Sequence, residues 1–287
     1  MDTNVIRRVS FAAVAIPAVL GIVWLGGWFL AALIAIIGVL GTRELYDLAE
    51  RAGVRPSRTF GLLSCALLPF AVQAVLTDPG FTTLALHFWP EAAALWLVVL
   101  LSLQVFTRTP ADKPLSGAAV TMFGVLYSGA LPVFMLDLRV AGGGEQSWAG
   151  AWLVFLPLVV TWICDTAAMF GGRSMGGPKL APVISPGKTW SGAVAGVIGG
   201  LIAAPLFNIL LLRPVGAEFP LMDVLILGGV LSVIGQIGDL AESLFKREVG
   251  VKDSSDLIPG HGGILDRLDS LYFVIPVAAM LYHALGR

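Results

Sequence analysis

Charge is scarce in this chain. Asp, Glu, Lys and Arg make up 13% of its 287 residues and hydrophobic residues 57%, where a soluble domain carries about a quarter charged residues. With a mean hydropathy of +0.86, that balance excludes an ordinary soluble domain and predicts a polytopic membrane protein. Net charge is almost absent as well, at −1, so there is no basic footprint for a nucleic-acid partner. Cysteine is limited to Cys65 and Cys164, both in apolar segments; they read as small packing residues rather than a disulfide, and nothing resembles a CxxC metal site. No internal repeat is evident, which weighs against an inverted-repeat transporter. A Walker A loop is missing too, because Pro182 stands where its first Gly would precede Lys188.

What the chain does have is apolar windows of helical length, at roughly 10–25, 28–47, 59–77, 90–106, 116–135, 150–171, 188–212, 221–246 and 268–285. The expected fold is all-α, a polytopic membrane protein with about nine transmembrane helices. Arg7 and Arg8 before an apolar run look like a signal peptide. Hydrophobicity continuing through Leu40 without a clear processing site favours a retained first helix instead. On this reading all but Arg139, Arg213 and Arg287 of the 18 Lys and Arg fall on one side. The positive-inside rule then places the N-terminus and the long polar loops in the cytoplasm. Residues 1–115 are read as N-terminal transmembrane helices. Residues 116–287 are read as the catalytic region, with cytoplasmic loops 172–188 and 247–265. The expected location is the inner (plasma) membrane, multi-pass, with the site facing the cytoplasm.

Two polar segments interrupt this pattern. From Asp165 to Gly192 the chain supplies Gly171, Gly172, Gly176, Gly177, Lys179, Ser185, Lys188 and Thr189. Glycines let backbone N–H groups approach phosphate, and lysines add point charges. Ser185 to Thr189 suits a turn into the following span, with an anion at that helix N-terminus. A plain interfacial loop meeting lipid phosphates is the competing reading.

From Gly238 to Ser270 come seven acidic residues, two Lys and two Arg. Asp239, Glu242, Ser243 and Lys246 share one helix face, and Asp266, Asp269 and Ser270 repeat the spacing on the next. Snorkelling and surface pairing would account for Lys246 and Arg247. They account poorly for Asp239, a turn or more inside the apolar boundary, because intramembrane carboxylates are costly. Two carboxylate-bearing faces joined by a Gly- and Lys-containing loop suit a divalent metal and a polyphosphate. Asp239 and Asp266 are the expected metal ligands and Asp165 a third. Lys179, Lys188, Lys246, Arg247, Lys252 and Arg267 would divide between triphosphate and lipid phosphate. His261 suits proton transfer, a phosphate hydrogen bond or a plain turn contact; His87 and His283 are read as structural.

The run Ser243-Leu244-Phe245-Lys246-Arg247, then Lys252-Asp253, then Pro259 through Asp269 (PGHGGILDRLD) resembles the signature of the phosphatidate cytidylyltransferases, or CDP-diacylglycerol synthases. Asp165 to Gly192 resembles a second region of that family, departing from its pattern at Met169, Gly187 and Ser191. Arg43-Glu44-Leu45 adds a weaker likeness. The resemblance implies Mg²⁺-dependent transfer of CMP from CTP to phosphatidic acid, giving CDP-diacylglycerol and pyrophosphate. It places Asp239, Asp266, Lys246, Arg267 and His261 in catalysis. Lys179, Ser185, Lys188, Thr189, Ser243, Arg247 and Lys252 would bind substrate. Whether a second cation such as K⁺ joins Mg²⁺, and whether the protein forms a homodimer, stay open. The rivals are a CTP-dependent lipid kinase and, further back, a cation-coupled transporter.

Overall fold

The computed structural model describes residues 17–144, 146–257 and 262–286. Helices dominate: α1 (Gly27–Arg51), α2 (Arg58–Thr77), α3 (Pro79–Thr107), α4 (Pro114–Gly124), α5 (Phe134–Ala141), α6 (Trp148–Met175), α7 (Trp190–Phe207), α8 (Leu221–Glu248) and α9 (Ile264–Ala284). Helix α4 runs through a π-turn at Val125–Ala130 and a 3-10 turn into α5, so that Pro114–Ala141 forms one span. Helix α7 likewise continues to Val215. Among the described residues, seven helices are long and apolar enough to cross a membrane. Residues 17–25 are also helical, but the segment at 10–25 begins outside the described residues. Helix α9 is not among the seven; Asp266, Arg267 and Asp269 occupy its first two turns and shorten its apolar stretch.

Local chemistry explains where these helices begin. Pro79 starts α3 because Asp78 caps it, accepting from the N–H groups of Gly80 and Phe81 at 2.7 and 3.2 Å. The helix therefore begins well before the apolar window at 90. Gly26, at φ 67°, breaks the chain ahead of α1. The fully buried Arg139 satisfies the freed carbonyls, donating Nε to Val23 (2.7 Å) and Nη2 to Trp24 (2.6 Å). A Cβ on Gly26 would touch that guanidinium.

The core runs through the middle of the bundle, where Leu30, Ile34, Leu136, Val154, Leu231 and Val274 are buried. By contrast α3 exposes an apolar surface; Phe106 is 86% exposed, as expected of a side chain that faces lipid.

Close helix contacts position the site. Gly192, Gly196 and Gly200 recur every four residues on α7. A Cβ at Gly192 would press on the Ala168 carbonyl, one at Gly196 on Cys164 Sγ, and one at Gly200 on Ser232 Oγ. Small residues thus let α7 sit tightly against α6 and α8, as in membrane helix pairs. On α8, Gly238 does the same toward α9, where a Cβ would lie 2.8 Å from the Asp269 carbonyl.

The polar segment between α6 and α7 folds as an antiparallel hairpin, β1 (Lys179–Ala181) and β2 (Ser185–Thr189), pairing Lys179 with Thr189 and Ala181 with Ser185. The fold is therefore nearly all-α rather than purely so.

Candidate active site

The hairpin, α6, α7 and α8 enclose a cavity of about 750 Å³. Asp165 and Arg173 reach it from α6, Lys179 and Lys188 from the hairpin, and Gln236 and Asp239 from α8. Gly176, Gly177, Gly187 and Gly192 supply wall without side chains. Lys188 Nζ lies 2.5 Å from Asp239 Oδ2, with both side chains about three-quarters buried. Two carboxylates and three cations thus face one space large enough for a nucleotide.

Thr189 lines the cavity but is engaged as the cap of α7, its hydroxyl accepting from Gly192 N–H at 3.1 Å. Ser185 lies opposite Ala181 on the hairpin and is not part of the cavity wall. Arg247 straps the hairpin to the end of α8, donating to the carbonyls of Ile184 (3.2 Å) and Val251 (2.6 Å).

A second polar cluster lies one to two turns along α8. Lys246 is buried and contacts Glu242 at 2.5 Å and Asp266 Oδ1 at 2.6 Å. Glu242 is fully buried, and its Oε1 has no hydrogen-bond partner among the described residues. Asp266 Oδ2 accepts from Ser254 N–H (2.9 Å), Ser254 Oγ (2.8 Å) and Gly263 N–H (2.8 Å). Ser243 Oγ reaches back to Asp239 Oδ1 at 3.4 Å, linking this cluster to the cavity. Asp269 is within electrostatic reach of both Asp165 and Asp239. Lys252 and Arg267 are exposed, and His261 lies outside the described residues. At the opposite end His283 pairs with Asp137 at 2.7 Å.

Sequence reasoning passed over Glu44. This α1 carboxylate is 3% exposed and accepts from Ser254 Oγ, Ser255 Oγ and the N–H groups of Ile264 and Leu265 at 2.6–3.0 Å. The residue itself stood out, a Glu inside an apolar helix and within the weak Arg43-Glu44-Leu45 likeness, but nothing local pointed to its partners.

Among the described residues no group of three or more His, Cys, Asp and Glu is close enough to form a ready-made metal cage. Mg²⁺ does not need one. It binds through one or two carboxylates together with substrate phosphates and water. Asp165, which lines the cavity, and Asp239 beside it supply hard oxygen donors of that kind. The donor set fits Mg²⁺.

The sequence profile of the cytidylyltransferase family matches residues 6–285. The chain belongs to that family. It is 36% identical over 285 residues to the phosphatidate cytidylyltransferase of Brucella suis biovar 1, covering 98% of this chain and 93% of that one. The Synechocystis phosphatidate cytidylyltransferase is 33% identical over 296 residues, covering 94% of each. Phosphatidate cytidylyltransferase 5, chloroplastic, of Arabidopsis thaliana is 34% identical over 295 residues, covering 93% of this chain and 69% of the plant protein. In this member of the family Asp165, Lys179, Lys188 and Asp239 line one cavity where the two polar segments meet.

Proposed function

We propose that this chain is an integral-membrane nucleotidyltransferase that moves CMP from CTP to phosphatidic acid, giving CDP-diacylglycerol and pyrophosphate in phospholipid biosynthesis. The observation that carries this reading is the cavity in which Lys179, Lys188, Asp165 and Asp239 converge. It provides cations for a triphosphate beside carboxylates for a divalent metal, at the edge of an apolar bundle.

An oxygen of the lipid phosphate attacks the α-phosphorus of CTP. A new P–O bond forms, the bond from the α-phosphorus to the bridging oxygen breaks, and pyrophosphate leaves. The lipid phosphate is already anionic at neutral pH, so no strong base is required. Placement and charge stabilisation carry the reaction. Lys179 and Lys188 hold the triphosphate. Lys246, Arg247, Lys252 and Arg267 neutralise the lipid phosphate and the leaving group, with Thr189 and Ser243 as hydroxyl contacts; Ser185, off the cavity wall, and His261, outside the described residues, take their place in this scheme from the sequence alone. Asp165 and Asp239 would hold Mg²⁺ together with the substrate phosphates; Asp266, off the cavity wall with Lys246 on its Oδ1 and three donors on its Oδ2, would join them only by releasing Lys246. When bound, the ion neutralises charge on the phosphates; a second cation such as K⁺ would serve the same carboxylates.

The orientation belongs to the same reading. Counting the segment at 10–25 and α9 with the seven long helices gives nine spans. The basic helix ends then face the cytoplasm, where CTP is, in the inner (plasma) membrane. Purified protein given phosphatidic acid, CTP and Mg²⁺ should release pyrophosphate in step with CDP-diacylglycerol. Release of CDP instead would identify a lipid kinase and overturn the reading.

A further inference from the structure

Glu44 lies more than 200 residues before the start of α9 in sequence, yet its carboxylate takes four hydrogen bonds from that helix and the loop ahead of it. The arrangement is symmetric at the atomic level. Glu44 Oε1 accepts from Ser255 Oγ at 2.6 Å and from Ile264 N–H at 3.0 Å. Glu44 Oε2 accepts from Ser254 Oγ at 2.9 Å and from Leu265 N–H at 2.8 Å. Each oxygen therefore takes one hydroxyl from the loop and one backbone amide from the first turn of α9. Those amides are orphan donors of the helix, and a buried carboxylate there also meets the positive end of its dipole. Ser254 is shared, because the same hydroxyl lies 2.8 Å from Asp266 Oδ2. Gly263 completes the joint: a Cβ there would overlap Ser254 Oγ and Glu44 Oε2.

We infer that Glu44 is a positioning residue for the proposed transfer: it clamps the loop through Ser254 and Ser255 onto α9, and so fixes the Asp266 carboxylate that faces Lys246. Glu44 itself touches neither Lys246 nor the cavity wall. It acts through Ser254 on Asp266, whose Oδ2 is saturated while Oδ1 points at Lys246. The N-terminal helices thus complete a site whose other parts all lie beyond residue 160. This inference rests on the cytidylyltransfer reading for its kinetic arm only.

The substitutions follow from the donor pattern. Glu44→Gln keeps the shape and one oxygen, but its amide N–H₂ must face one backbone N–H that cannot turn away. Glu44→Ala removes all four contacts. Gly263→Ala disturbs the same joint from the α9 side. For each purified variant, kcat and KM for CTP are measured together with amide hydrogen exchange across residues 254–266 and the melting temperature in detergent. Glu44→Gln is expected to lower kcat at least tenfold with KM for CTP changed less than threefold. Exchange at Ile264 and Leu265 should rise about tenfold, with helices α6 and α7 still protected. Ser254→Ala should cost little more in the Glu44→Ala background than Glu44→Ala costs alone, since the two act in one chain of contacts. Wild-type kcat in Glu44→Gln, or unchanged exchange at Ile264 and Leu265, would overturn the inference. So would a loss of activity that merely tracks melting. If the wild type makes no CDP-diacylglycerol, the proposed reaction fails, and the exchange measurement judges the clamp by itself.

Discussion

Replacing Lys188 with Ala separates a role in chemistry from a role in folding. Its ammonium lies 2.5 Å from Asp239 Oδ2, and the two side chains are 25% and 30% exposed. For a pair this close to an open cavity, the contribution to stability is modest, about 1 kcal/mol or less. The melting temperature should fall by no more than a few degrees. The effect on turnover is larger. Lys188 and Lys179 are the hairpin cations of the cavity, so the substitution removes a charge-assisted contact to a triphosphate. Such contacts are worth about 1.5–3 kcal/mol, which is roughly ten- to hundredfold in rate if the contact is made in the transition state. Removing the cation also leaves the Asp239 charge uncompensated beside Asp165, which works against an approaching anion. Lys188→Ala should therefore lower kcat/KM for CTP by about ten- to hundredfold, and Lys188→Arg should recover part of it. The assay is product formation against CTP concentration in detergent micelles, with thermal stability measured on the same samples. Near-normal kcat/KM for both substrates in Lys188→Ala would refute the reasoning and leave Lys188 as a surface cation meeting lipid.

Further outcomes follow from the same structure. Asp239→Asn and Asp266→Asn should each collapse the Mg²⁺-dependent rate, and added Mg²⁺ should restore little; wild-type-like metal titrations in both would remove the metal from this site. Cysteines at Lys113, Lys179 and Lys252 should be labelled from the cytoplasmic side and one at Arg213 from the other; labelling of 179 and 252 from opposite faces would break the site apart. Gly200→Val would drive a side chain into Ser232 and the Gly228 carbonyl, costing about 1–3 kcal/mol by overpacking. Its melting temperature should fall before any change in KM, and an unaltered melting curve would show that α7 and α8 can move apart.

Much of the candidate site could be read from the chain because its charges stand out against an apolar background. Asp165, Lys179, Lys188 and Asp239, chosen for residue type and spacing, share one cavity. Lys246 and Asp266, on successive helix faces, meet at 2.6 Å. Glu44 was hidden because its four donors lie in the signature segment, and no local pattern links positions that far apart. The hairpin was hidden because Pro182, Pro186 and Gly187 fall within Lys179 to Thr189, and such residues read as a turn whichever way its ends pair. Arg139 looked like one of three stray cations, yet it is buried and bonded to the carbonyls of Val23 and Trp24. Seven of the nine apolar windows coincide with the long apolar helices; the window at 268–285 falls in α9, whose first two turns carry Asp266, Arg267 and Asp269.

The central claim is that the α-phosphorus, not the γ-phosphorus, is attacked by the lipid. Purified protein should be supplied with phosphatidic acid, Mg²⁺ and CTP labelled at either the α- or the γ-phosphate, and the label followed into lipid. The account predicts α-label in the lipid fraction, γ-label in pyrophosphate, and equal amounts of the two products. γ-Label in the lipid with CDP in solution would contradict it.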